Sequence, residues 1–234
     1  MGAVRARSDH YFDTADSAGL LINSSFGVQP TWSVNTVAPI YPTAGLGAMT
    51  TWNSGRWTHR TGIFQADPRD RSTTFDRGFL LLDEVNFRVS ATTTYKVGAW
   101  RYHPRDPPSA PLPETTWGGY AIVEHALNGT GADAPVAFLR VGWSPPKASA
   151  VPLGFQVGML IPAPFTARPD DQLSLGIARA SLRGLGLETA YEVTYVLTLS
   201  AHVSLQPDLQ FVDNPSGAYP QAIVGTLRLH IGFD

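Results

Sequence analysis

Hydrophobic and polar residues alternate with a period of two along most of the chain. Val203, Leu205, Leu209 and Phe211, for example, alternate with polar neighbours. Because successive side chains of a β-strand point to opposite faces, this pattern predicts strands with one apolar and one polar face. No segment shows a sustained helical period, and residues 20–26 are a candidate twelfth strand. Eleven strands are predicted, at residues 46–52, 57–65, 84–90, 95–100, 119–127, 136–143, 153–161, 172–182, 192–199, 203–211 and 223–233.

The connections between these strands alternate between short and long at both ends of the chain. Short turns alternating with long loops are typical of an up-and-down outer-membrane barrel. The middle of the chain departs from this rhythm, because residues 162–171 form a long connection and residues 183–186 a short one. The short turns fall at residues 53–56, 91–93 and 200–202, and the long loops, rich in Pro, Asp and Arg, at residues 66–78, 101–117 and 213–221.

The composition narrows the class of protein. Charged residues make up only 15% of the 234 residues, compared with about a quarter in an ordinary soluble domain. The 22 Gly and 19 Pro residues disfavour a helical bundle, and the net charge of −2 gives no basic surface for nucleic acid. The mean hydropathy of −0.06 is too polar for membrane helices, but it suits barrel strands that alternate in polarity. The start of the chain lacks the apolar core of a signal peptide.

Aromatic residues gather near the ends of the predicted strands. Trp52 and Trp57 flank a turn, and Trp100, Trp143 and Phe233 end strands. Aromatic rings favour the membrane–water interface, so this placement fits an aromatic girdle. Tryptophans that cap the core of a soluble sandwich would give the same pattern, and both interpretations stay open at this point.

The polar alternates are the candidate functional residues. In a barrel with lipid outside, they would point into the lumen, hydrate a channel and bind sugar hydroxyls without selecting one sign of ion. The alternative is a half-exposed sheet whose polar face meets bulk water. The candidates for the lumen and the sugar path are Glu84, Arg88, Lys96, Glu124, Arg140, Glu192, Asp208, Gln210, Arg228 and His230.

Catalytic and metal-binding motifs are absent from the sequence. It has no G-x-S-x-G, H-E-x-x-H or P-loop pattern, and its six histidines are not spaced as metal ligands. The lack of cysteine excludes a disulfide framework and a cysteine nucleophile. We therefore expect no enzyme activity, no catalytic residue, no metal and no cofactor.

Motifs near the C-terminus give a more specific indication. Glu192 and Tyr195 form an E-x-x-Y strand, residues 205–210 read L-Q-P-D-L-Q, and Asn214-Pro215 follows. This stretch resembles the end of the OprB-type carbohydrate-selective porins, and the resemblance runs from about residue 10 to the end of the chain. Further matches are Gly225-Thr-Leu-Arg228, Arg168-Pro-Asp-Asp171, Val141-Gly-Trp-Ser-Pro145, Tyr95-Lys-Val-Gly-Ala-Trp100 and the stretch from Gly19 to Gly27.

The resemblance implies a sixteen-stranded barrel of the bacterial outer membrane, commonly a homotrimer, that passes monosaccharides by diffusion. The chain would correspond to the C-terminal two-thirds of that barrel, as one porin domain over residues 1–234 with a loop-rich N-terminal segment at residues 1–44. We therefore expect an all-β, transmembrane, antiparallel up-and-down barrel, with 11 or 12 strands in this chain. It would be either an incomplete barrel or a smaller closed one.

Three hypotheses for the function follow. The first is a porin for passive, carbohydrate-selective diffusion of small sugars, with outer-membrane lipid and sugars as partners and no nucleic acid. The second is a soluble all-β carbohydrate-binding module, and the third, disfavoured by the missing motifs, is a β-rich hydrolase. The apolar alternates distinguish them, because they face outward in a porin and a sealed core in a soluble protein. The test residues are Val203, Leu205, Leu209, Leu227, Leu229 and Ile231.

Overall fold

The computed structural model describes residues 5–37, 39–69, 74–105 and 115–233, and it confirms the predicted all-β, up-and-down architecture. Its strands form one sheet in which each strand pairs antiparallel with its neighbours in sequence. Parts of the predicted loops 66–78 and 101–117 lie outside the described residues. The strands are β1 (Arg5–Ala6), β2 (Gly45–Ser54), β3 (Trp57–Gln65), β4 (Gly78–Arg88), β5 (Thr93–Pro104), β6 (Thr116–Ala126), β7 (Val136–Trp143), β8 (Leu153–Pro162), β9 (Gln172–Leu182), β10 (Gly186–Ser200), β11 (Val203–Asp213) and β12 (Gln221–Ile231).

The predicted strand at residues 20–26 is wrong. This stretch forms a turn and a short helix, α1 (Ser24–Gly27), followed by α2 (Pro30–Ser33). The side chain of Asn23 accepts a hydrogen bond from the backbone N–H of Ser25 at 3.0 Å. This cap satisfies a donor that the first turn of a helix leaves without a partner, and it favours a helix in the stretch that the sequence offered as a candidate strand.

The connections gather at two ends of the sheet. The short-turn end carries the links 55–56, 89–92 and 201–202, as the sequence indicates. The longer link 163–171 also lies at this end, and the short link 183–185 lies at the opposite, long-loop end. The irregular middle of the chain thus changes the loop lengths without changing the strand order.

The two faces of the sheet differ in the way that the porin hypothesis requires. Leu209 is 54% exposed on the outer face, whereas its neighbour Asp208 is 6% exposed on the inner face. Asp208 lies opposite Thr226 on β12, so Leu227 and Leu229 share the outer face with Leu209. These apolar alternates face away from the inside of the sheet, so they do not form the sealed core that the soluble-protein hypothesis requires.

Residues 7–37, which we call the inner segment, pack against the inner face of the sheet. They contribute the buried rings of Phe12, Phe26 and Trp32 to the core. Phe12 meets Phe64 of β3 edge-on with ring centroids 6.2 Å apart, and Phe26 meets Phe138 of β7 at 6.3 Å. The apolar core therefore lies inside the curved sheet, between the strands and this segment.

The sheet has two edges among the described residues. β12 pairs only with β11, and β2 pairs beyond β3 only with the two residues of β1. Within the described parts of the chain, no helix is long and apolar enough to cross a membrane.

Pro207 lies inside β11, where its missing N–H removes a ladder hydrogen bond. Pairing of β11 with β10 lapses beyond Thr194 and Asp208 and resumes at Leu197 and Leu205, in the same register. The hydroxyl of Thr194 donates to the carbonyl of Pro207 at 3.3 Å. The Thr194 hydroxyl thus gives the Pro207 carbonyl a donor where the backbone pairing lapses, but it does not replace the missing N–H.

Candidate functional site: the inner face of the sheet

All ten candidate residues lie on the inner face, but the inner segment divides them into two groups. Most of them are covered by this segment, and their polar atoms bind it or one another. The covered residues are Glu84, Lys96, Glu124, Arg140, Glu192, Asp208 and Gln210. Arg88, Arg228 and His230 instead have exposed side chains.

Three glutamates hold the inner segment by its backbone. Glu84 accepts the N–H of Asp13 at 2.9 Å, and Glu124 accepts the N–H of Ser17 at 2.9 Å. Glu192 accepts the N–H groups of Ile22 and Asn23, the latter at 2.9 Å. Because a carboxylate can accept several hydrogen bonds, each glutamate satisfies donors of a loop that has little secondary structure of its own.

A fully buried ion pair anchors the first part of the inner segment. Asp13 has a left-handed backbone (φ 58°), and its carboxylate lies 2.9 Å from a guanidinium nitrogen of Arg140. Arg140 also donates to the carbonyls of Asp13, at 2.7 Å, and Phe26. The other carboxylate oxygen of Asp13 accepts the indole N–H of Trp32 at 2.9 Å. Both charges are fully enclosed, so each depends on the other.

A polar network joins the inner segment to β11. Gln210 accepts from the side-chain amide of Asn23 at 3.0 Å and donates to Asp208 at 2.9 Å. Gln206 donates to the carbonyl of Leu20 at 2.7 Å, and its amide oxygen lies 3.4 Å from Arg228 of β12. This chain of contacts leads from the covered residues to the exposed ones.

A polar cavity of about 450 Å³ opens at the short-turn end; we call it the short-turn cavity. The inner segment lines one side, and β3 to β6 line the other. Arg88, Lys96 and Glu124 lie in its wall, together with Arg56 and Arg60, which were not among the predicted residues. Lys96 is held by the carbonyl of Thr14 at 2.6 Å and by Glu124 at 3.3 Å.

A second cavity, of about 820 Å³, opens near the long-loop end. It lies between the short helices of the inner segment and the ends of β9 and β10. Its lining is mostly small and apolar, with charged side chains at Asp9, Arg183 and Glu188. The inner segment contributes residues to both cavities.

The structure resolves the open question about the aromatic residues. Trp52 and Trp57 are exposed at the short-turn end, where Trp57 stacks on Phe87 with centroids 4.1 Å apart. Trp143 is exposed at the long-loop end, where it meets Trp117 at 5.0 Å. These outward rings form two bands, as in an aromatic girdle. Trp100 does not belong to either band, because it is 3% exposed and packs inside the sheet.

Sequence reasoning missed the residues of the inner segment that complete this site. Asp13, Gln29 and Trp32 are buried polar or aromatic residues in a stretch with no strand or helix period. The only signal for Gln29 and Trp32 was the lack of charge from Ser17 onward, which suits a segment packed against other protein, and no such signal marked Asp13. Across the described ranges, no three His, Asp or Glu side chains come together as metal ligands.

Comparison with known proteins gives two kinds of match. A family model described as carbohydrate-selective porin, OprB family, matches residues 2–105 and 80–233. OprB of Pseudomonas putida in its high-pH structure aligns with a TM-score of 0.83 and 16% identity, over 99% of this chain and 69% of that one. Its low-pH structure aligns with a TM-score of 0.59 and 16% identity, over 82% and 56% of the two chains. No curated protein matches the sequence.

Proposed function

The chain belongs to the OprB family of carbohydrate-selective porins, which are proteins of the bacterial outer membrane, and we propose that monosaccharides cross it by passive diffusion along the inner face of the sheet. The observation that carries this proposal is the division between an apolar outer face and a polar inner face. A sheet with these faces can pass hydrated solutes while its outside meets lipid.

The proposed path runs beside the inner segment and not through an empty lumen. The two cavities lie toward opposite ends of the sheet, and the inner segment borders both. The exposed Arg228 and His230 lie near the short-turn end of β12 and offer hydrogen bonds without a covering chain. In this proposal the sugar contacts Arg88, Arg228 and His230, whereas the covered candidates fix the shape of the path.

Outer-membrane lipid is the proposed partner of the outer face. The apolar side chains of β9 to β12 would contact acyl chains, and the two aromatic bands would lie near the headgroups. We propose a channel and not an enzyme, formed as one porin domain, with the homotrimer that the family resemblance implies as its assembled state.

Closure is the physical requirement of this proposal. Each unpaired backbone group in hydrocarbon costs several kcal/mol, so the free edges of β2 and β12 must be paired in a membrane. We expect pore activity only in species in which these edges pair with each other or with strands of another chain.

Uptake of glucose by proteoliposomes containing the purified 234-residue protein tests the function. Detergent-soluble monomers and trimers should be separated first by size-exclusion chromatography with light scattering. Glucose should enter faster than a trisaccharide, and a trimer should be the most active fraction. A protein that stays monodisperse without detergent and binds sugar without passing it would support the soluble binding module instead.

A further inference from the structure

The short-turn cavity combines charged and hydroxyl-bearing side chains in one wall. Arg60, Asn86 and Lys96 lie on β3, β4 and β5, and Arg88 and Thr94 are directly paired across the next row. Side chains on one face of paired strands stand about 5 Å apart, so these groups can contact one small molecule together.

Two of the basic residues in this wall have their charge matched by a carboxylate. Arg60 lies 3.3 Å from Glu84, and Lys96 lies 3.3 Å from Glu124. These two pairs hold the wall together and bind the inner segment through its backbone. They leave little charge to attract a ligand.

Arg56 and Arg88, two other basic residues of the cavity wall, are not paired with a carboxylate among the described residues. Arg56 donates to the carbonyl of Val89 at 3.1 Å and meets no carboxylate within the described parts of the chain. Arg88 has no side-chain partner there, and Asp16 is the one acidic residue of the lining outside the two ion pairs. The wall of the sheet as a whole carries both signs of charge, but this cavity holds an excess of guanidinium groups.

A guanidinium group presents a planar fork of N–H donors that matches a carboxylate or a phosphate. The hydroxyls of Tyr11, Thr14, Thr58 and Thr94 also line the cavity, and such groups suit the hydroxyls of a sugar ring. Its volume of about 450 Å³ falls in the range of small-molecule sites. We propose that the short-turn cavity binds a small anionic sugar, with Arg88 and Arg56 contacting the acidic group.

This inference rests on the proposed sugar path, since the cavity forms one end of that path. Binding can nevertheless be measured without a working pore. Equilibrium dialysis of the detergent-solubilised protein with radiolabelled glucuronate, glucose 6-phosphate and glucose compares a carboxylate, a phosphate and a neutral sugar. We expect at least one of the acidic sugars to bind more tightly than glucose. We also expect its binding to weaken as salt is added.

Arg88→Gln should weaken binding of the acidic sugar about tenfold, because a charge-assisted hydrogen bond is worth about that factor, and should weaken glucose binding less, because glucose has no acidic group to match the guanidinium. The matched control is Arg101→Gln, which removes the same charge from an exposed residue of β5 that lies outside both the cavity and the proposed sugar path. The proposal is overturned if glucose binds as tightly as both acidic sugars, or if the two variants lose equal affinity. A protein that binds glucuronate but passes no sugar would sustain this site and reject the proposed transport function.

Discussion

Two parts of the inner face show how different surroundings act on the same kind of strand. The inner face of β4 to β10 apart from its short-turn end, which we call the covered wall, is buried under the inner segment and carries Glu84, Arg140 and Glu192. The inner face of β12, which we call the open wall, has exposed side chains at Arg228 and His230, and even Val224 is 41% exposed. Both walls alternate in polarity, but only one has a layer above it.

The difference teaches that a charge on the inner face can have two separate uses. On the covered wall, charges are paired and satisfy the backbone of a chain segment, so they shape the interior. On the open wall, the charged side chains are exposed, so in the proposed pore they can meet a solute. Four predictions test this comparison.

The largest effect is expected at the buried ion pair of the covered wall. Arg140→Ala leaves the carboxylate of Asp13 enclosed without its cation, and breaking a buried pair costs about 3–5 kcal/mol. Urea unfolding of the protein in detergent measures this loss. Arg228→Ala on the open wall is the control and should change the free energy of unfolding little, because its side chain is exposed. Equal losses in the two variants would remove the distinction between the walls.

An added charge should have different effects on the inner and outer faces of β12. Leu229→Arg places the charge on the outer face, where arginine near the bilayer midplane costs about 2–4 kcal/mol. Thr226→Arg places it on the inner face, which is already wet in the proposed pore. Folding into lipid vesicles, followed by tryptophan fluorescence, compares the two. A larger cost for Thr226→Arg would reverse the assignment of the faces.

The inner segment packs so closely against β7 that a larger side chain at Gly142 should displace it. A Cβ atom at Gly142 of β7 would come within 2.4 Å of the hydroxyl of Thr31 and within 2.8 Å of the amide oxygen of Gln29. Gly142→Val should therefore displace the segment, at about 1–3 kcal/mol, and make it accessible to protease. Gly225→Val on β12 is the control, since a Cβ atom there meets nothing within 4 Å. Unchanged proteolysis in Gly142→Val would show that the segment does not depend on this close approach.

The smallest effect is expected from a pH-sensitive turn outside the strands, between β8 and β9. Asp171 is ion-paired with Arg168 and accepts hydrogen bonds from the Tyr195 hydroxyl and from the Thr198 N–H, the latter at 2.9 Å. These contacts, led by Arg168, hold the pKa of Asp171 well below its usual range. A lowered carboxyl pKa stabilises the fold above the unfolded-state pKa, and this contribution is lost as the pH falls toward the folded-state pKa.

Asp171→Asn should therefore reduce stability at neutral pH and flatten the decline below about pH 4. Thermal unfolding between pH 7 and pH 3 measures this difference, with Asp170→Asn, its neighbour in the same turn, as the control. Parallel pH profiles for the wild type and Asp171→Asn would contradict the assigned role of this carboxylate.

The sequence was sufficient for the strands and for their two faces. Alternation in β9 to β12 predicted which residues face inward, because the period of two is a local property of an extended chain. The turn 55–56 was equally local, since it needs only a glycine with a positive φ, here 58° at Gly55. Residues 20–26 misled the same reasoning, because the side-chain cap by Asn23 overrode a short apolar run.

The roles of the inward residues depended on contacts between distant parts of the chain. Alternation placed Glu84 and Arg228 on the same face of the sheet but could not predict their different surroundings. The Glu84 carboxylate binds the N–H of Asp13, 71 positions away, whereas Arg228 stays exposed. Trp100 looked like a girdle residue until the register of β5 turned it inward. By itself the sequence determined the strand periodicity, the low charge and the family motifs. Only the tertiary structure decided which side chains the inner segment covers, because its packing joins groups that no local pattern connects.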